Sequence, residues 1–216
     1  GSAKIRNEAG ATFTASADGK IAHDLDANRA TFTNAGTFKK ATGAGGASTE
    51  IEAIFDSTAA GASVVVDAGN LKLSGGGTSS KPVSLATGTK LQIAGNDFAF
   101  TGGALNGIGT GAIEVSGATA TFGGTTGSAN LAVNGTGTAK INGSHSTSGK
   151  LTLSGTGKLD GVSTASTATV GSLAWEGGDI TTAAVASAGT TIGTGAAKKL
   201  YGGAQLNLSG PTQWTA

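Results

Sequence analysis

The sequence contains no cysteine and no methionine, only two prolines, and few aromatic or charged side chains. Each shortage removes a class of chemistry. Without cysteine there is no disulfide, no thiolate nucleophile and no Cys-ligated metal. Charged residues are 12% of the chain, about half the usual share, and the formal net charge is +1. That balance gives no electrostatic reason to expect nucleic acid or an anionic membrane as a partner. The longest basic runs are the pairs Lys39-Lys40 and Lys198-Lys199, which read as solvated loop charge. No apolar run approaches the roughly 18 residues of a membrane span, so no direct membrane insertion is expected of this segment. Aromatics are 5% of the chain, and Trp175 and Trp214 are its two tryptophans.

What the chain has is glycine, 39 residues of 216, set among small and β-branched residues. A hydrophobic share of 38% with little net charge argues against disorder. Short alternating runs recur, among them ATFTA (11–15), SVVVDAG (63–69), LKLSGGG (71–77), KLQIAG (90–95), AIEVSG (112–117), KLTLSG (150–155) and QLNLSG (205–210). Alternation with period two is the pattern of a strand with one buried face. Turn signals return about every eight to twelve residues, which suits a sandwich, barrel or solenoid. The one helical window is STEIEAIF (48–55), with a capping Ser48 and apolar residues at helical spacing; it reads equally well as a strand.

Repeats favour the solenoid. LxLSG occurs at Leu71, Leu151 and Leu206. FAFTGGAL (98–105) matches LAWEGGDI (173–180), and LAVNG (131–135) matches LNLSG (206–210), both at an offset of 75. The internal repeat is thus 98–135 against 173–210, and it equates Trp175 with Phe100 as a buried aromatic slot closed by Gly-Gly. A solenoid coil cannot bury its apolar face alone, so coils stack and the same positions recur. Coils of roughly 20 to 25 residues would give nine or ten coils and a rod of roughly 45 Å. The expected fold is all-β, a right-handed parallel β-helix (β-solenoid), with residues 3–216 one segment of a longer solenoid. Gly1-Ser2 reads as a cloning remnant.

FTNAGTFKK (32–40), GASVVVDAGNLKLSGGG (61–77) and the F/W-x-G-G segments resemble the strand repeats of large secreted bacterial surface proteins. These are passenger-type β-solenoids of autotransporters and filamentous-haemagglutinin-like adhesins. The resemblance spans the chain but is one of repeat style. It implies export from a Gram-negative cell to the outer surface or medium, and a non-enzymatic role as rigid stalk or attachment region. Partners would be a host-cell or matrix glycan or protein, or neighbouring copies of the chain.

Candidate chemistry is sparse. His23 opens HDLD (23–26); in an extended chain Asp24 and Asp26 lie on one face about 7 Å apart, within reach of a divalent cation. Against this stands a plain polar loop, and no metal site or cofactor is expected. His145 lies in GSHSTSG, a low-complexity loop by composition. GGGTSSK (75–81) lacks the GK[ST] ending of a phosphate loop. The TxT pairs are too irregularly spaced for a flat ice-binding ladder. Trp175 and Trp214 are the candidates for carbohydrate or partner contact, with packing the stronger reading for Trp175 and exposure expected at Trp214. The alternatives to a structural role are a carbohydrate-binding or carbohydrate-cleaving β-helix and a phage tail-spike segment.

Overall fold

The computed structural model describes residues 3–23, 29–43, 47–102, 105 and 111–215. Short strands turn through three faces per coil. The first coil lays strand Lys4–Asn7 on one face, Thr12–Ala15 on the second and Gly19–Ile21 on the third. The next coil stacks Thr31–Asn34, Thr37–Lys40 and Ser48–Ile51 on them, parallel and in register. The stack continues for about nine turns as an all-β parallel solenoid, with no helix among the described residues. It ends on Lys198–Tyr201, Gln205–Leu208 and Thr212–Trp214, in the same order of faces in which it began.

The alternation read from sequence becomes the inside and outside of this coil. Strands such as Asn70–Leu73 alternate half-buried and buried residues, because successive side chains point to opposite faces. On the third face one inward position is occupied in turn by Ile21, Ile51, Leu73, Ile93, Val115, Val133, Leu153, Trp175, Ile192 and Trp214. That row is apolar from end to end. Each fully buried Leu, Ile or Val in it contributes about 1.5–3 kcal/mol by leaving water.

The first face carries a second row, Ile5, Phe32, Phe55, Gly77, Phe98, Ala120, Ala139, Leu159, Ile180 and Leu200. Phe32 stacks on Phe55 with ring centroids 5.4 Å apart. Two places along the same face, Asn7 Nδ2 donates to Asn34 Oδ1 at 2.7 Å, and Asn34 Nδ2 donates to Ser57 Oγ at 3.1 Å. Further along that position the polar residues give way to Phe100 and Phe122, stacked at 5.2 Å.

The registers correct the repeat. Steps along the Ile21-to-Trp214 row are 30, 22, 20, 22, 18, 20, 22, 17 and 22 residues, so an offset of 75 is not a whole number of coils. Phe100 lies on the first face, paired with Ser79 and Phe122; Trp175 lies on the third, between Leu153 and Ile192. Leu131 and Leu206 are likewise on different faces. The matched segments are alike because each is a strand followed by a glycine corner, not because they occupy one slot.

Three local readings also change or resolve. STEIEAIF forms the strands Ser48–Ile51 and Ile54–Ser57 around a corner. GGGTSSK contributes the strand Gly77–Ser79. Lys39-Lys40 is not loop charge: it ends the strand Thr37–Lys40. Lys40 is fully buried, its ammonium 2.8 Å from Asp18 Oδ1 and donating also to the Thr42 carbonyl. A buried ammonium persists only where its protons find acceptors.

Gly77 is a tight requirement on the first face. Its φ is +135°, and a Cβ there would sit 2.1 Å from the Phe55 carbonyl oxygen. Gly10 has φ +78° but nothing within 4 Å of its Cβ position. Gly77→Ala is expected to cost about 3 kcal/mol, and Gly10→Ala about 1 kcal/mol of backbone strain alone. Denaturant titrations of the two variants check this: equal losses would show that steric contact at Gly77 is relieved.

Candidate functional site

Parallel stacking governs the outer surface too. On the third face the outward residues of five successive coils are Lys20, Glu50, Lys72, Gln92 and Glu114. Glu50 therefore lies between two lysines, 3.6 Å from Lys20 and 2.9 Å from Lys72. Glu114 accepts from Gln92 Nε2 at 2.9 Å and pairs with Lys90 at 2.6 Å. Glu52, just past the strand, pairs with Lys20 at 2.7 Å and accepts the His23 backbone N–H at 3.2 Å.

Next to this ladder is a groove of about 340 Å³ lined by His23, Arg29, Glu50, Glu52, Ser74 and Asn96. Arg29 is held across it, donating to the Gly75 carbonyl at 3.0 Å and to Asn96 Oδ1 at 2.7 Å. Burial pushes the Glu50 carboxyl up, but hydrogen bonds from Lys72 and Ser74 and the two ammonium charges outweigh it and hold it below its ordinary range. The hydrogen bond from Lys20, then that from His23, lowers Glu52. Lys20 is raised in turn, chiefly by its bond to Glu52. Both carboxyls are thus ionised and tied, opposite to the raised pKa of a general acid. The groove offers fixed hydrogen-bonding groups suited to a neutral polar ligand.

Of the residues singled out in the sequence, Asp24 and Asp26 lie outside the described residues. Among the described residues no three His, Asp or Glu converge as metal ligands. Trp175 is 6% exposed, and its indole N–H donates to the Gly178 carbonyl at 3.1 Å. The Gly177-Gly178 corner thus satisfies the indole, and the ring is enclosed. Trp214 belongs to the same inward row, one position beyond Ile192, yet is 75% exposed because it lies on the last coil. A second groove of about 380 Å³ runs beside that coil, lined by Lys150, Ser172, Thr191, Gln213 and the Gly189 and Pro211 corners among others.

His145 does not lie in a loop. It sits in the strand Thr138–Leu153, 2% exposed. Its Nδ1 is hydrogen-bonded to Thr126 Oγ1 at 2.8 Å and its Nε2 to Ser128 Oγ at 3.2 Å, with the Phe122 ring centroid 4.5 Å away. The available signal was TTGS (125–128) lying one coil before SHST (144–147), with which it pairs. Low complexity concealed it. Among the described residues no ionised side chain contacts the imidazole, and burial lowers its pKa to about 4.

No protein-family model, curated protein or solved structure matches the chain.

Two outcomes follow from these charges. Glu50→Lys would place three lysines side by side, and the thermal midpoint should fall by about 2–4 °C at low salt. In high salt the loss should shrink; a salt-independent loss would point to packing. For His145, the unfolded chain, with a pKa near 6.5, binds a proton more readily than the folded one. Its contribution is therefore complete above pH 6.5, declines as pH falls, and levels off below about 4. The total is about 3 kcal/mol. His145→Gln should remove that part of the acid sensitivity, read as the difference between variant and parent in denaturant midpoints at pH 7 and pH 4.

Proposed function

We propose that this chain is a rigid, non-enzymatic segment of a bacterial cell-surface or secreted protein. It serves as stalk or attachment region, as in the passenger-type solenoid adhesins its repeats resemble. The observation behind this reading is the unbroken apolar row from Ile21 to Trp214 beneath continuous parallel ladders. Such a stack resists bending because every coil is hydrogen-bonded to its neighbours along the whole axis. It holds whatever precedes and follows it at a set separation, while corners and outward rows remain free to vary. Absence of cysteine suits a chain that crosses membranes unfolded. The place of action is the outer surface of a Gram-negative cell or the medium, and the partner a host-cell or matrix glycan or protein.

Fluorophores on the first and last coils should report a single narrow separation of roughly 43 Å along the axis. A distribution as broad as that of a flexible linker of equal length would overturn the spacer role. For attachment, cells displaying the chain should adhere to matrix-coated surfaces more than cells bearing the anchor alone.

A further inference from the structure

The second face changes character over two coils in the middle of the chain. Nearer the start its inward positions are mostly apolar, as at Phe38, Val64 and Val83 or at Val66 and Leu85. Over residues 125–128 and 144–147, which pair in register, all four are polar: Thr126, Ser128, His145 and Thr147. The following coil adds only Ala168 and Val170. Outward positions such as Thr125, Gly127, Ser144 and Ser146 are too small to cover the ladder. The piece 144–147 is also loosely joined to the rest of its strand. Before it, Asn142 and Gly143 pair with Gly123 and Gly124 but, among the described residues, with nothing in the following coil. After it, the register shifts between Thr147 and Lys150, a bulge that leaves an extra residue unpaired. Few buried apolar contacts and an uncovered ladder are the features of a segment that opens locally.

His145 gives this segment a trigger. The ring is enclosed against Phe122, one nitrogen bonded to Thr126 and the other to Ser128. A neutral imidazole, donating from one nitrogen and accepting at the other, satisfies both hydroxyls. An added proton makes a cation with no anion beside it among the described residues. The histidine's own strand turns Lys140 and Lys150 outward, and the next coil does the same with Lys158 and Asp160. The strands Thr119–Ser128 and Thr167–Trp175 carry no charged side chain, nor do residues 101–112 of the preceding coil. We infer that the segment 142–149 is an acid-operated opening: proton uptake by His145 releases it from the ladders on both sides and delivers the imidazolium to water, while the first and third faces stay stacked. Opening gives up little apolar burial, and water takes over the hydroxyls of Thr126, Ser128 and Thr147. The direction follows from linkage. The ring binds its proton near pH 6.5 when open to water and near 4 when enclosed, so the open form gains as pH falls below 6.5 and gains no more below about 4.

The inference rests on the surroundings of His145 and not on the attachment or spacer role. Hydrogen exchange of the whole chain, read by mass spectrometry, tests it, with protection at each pH taken relative to the intrinsic rate of the same peptide. From pH 7 to pH 4, protection over 142–149 and its ladder neighbours 125–128 and 167–170 should fall about a hundredfold, as the two proton affinities require. The third-face strands Asn70–Leu73 and Lys90–Ile93 should keep theirs. In His145→Gln the amide can still donate and accept at the two hydroxyls but takes up no proton, so the fall should vanish. If that variant does not fold, the parent suffices: the His145 imidazole resonance should titrate far below 6.5 and in step with the loss of protection. Protection over 142–149 that stays flat to pH 4 overturns the inference, as does an imidazole titrating near 6.5. Loss shared equally by all three faces overturns it in favour of global unfolding. Loss that persists in His145→Gln overturns it in favour of the carboxylates.

Discussion

Everything in this structure depends on the parallel, in-register ladder. It places each residue about 4.8 Å from the residue at the same position in the next coil, so a side chain's principal neighbour is its own counterpart. Inside, that favours aliphatic on aliphatic and ring on ring, as along Ile51, Leu73 and Ile93 or between Phe100 and Phe122. Outside, it penalises like charges, and the surface alternates accordingly through Lys20, Glu50 and Lys72. One constraint thus produces both the apolar rows and the charge ladder.

The same constraint explains how a narrow interior tolerates polar groups. A buried donor or acceptor needs a partner, and the ladder supplies one in the next coil. Asn7 finds Asn34, Asn34 finds Ser57, and His145 finds Thr126 and Ser128 one coil back. Lys40, Trp175 and Ser187 differ in kind, since their partners Asp18 and Thr42, Gly178 and Gly189 come from corners. Among the described residues Thr190 is the exception in outcome: its hydroxyl is buried without a partner, where the Leu151–Leu173 row turns polar.

For function, the ladder means that surface groups are tied to one another before they can act on a ligand. The carboxylates of the third face are already held by lysines, a serine and a backbone N–H. The arrangement suits a rod whose surface groups are bonded to one another along the ladder.

The composition and the period-two alternation determined an all-β chain of short strands with one buried face and glycine corners; the recurrence of strand-and-corner segments pointed to stacked coils, although the 75-residue match is not a coil register. Those features are local, recur in every coil, and survive any variation in corner length. Which segments stack on which was decided by tertiary structure. Coils of 17 to 30 residues break any constant offset, so strands with the same local grammar, such as FAF and LAW, fall on different faces. His145 and Lys40 were illegible for a related reason. Whether a polar residue points inward depends on the phase in which its strand enters the coil, and that phase is set by the ladder beneath it.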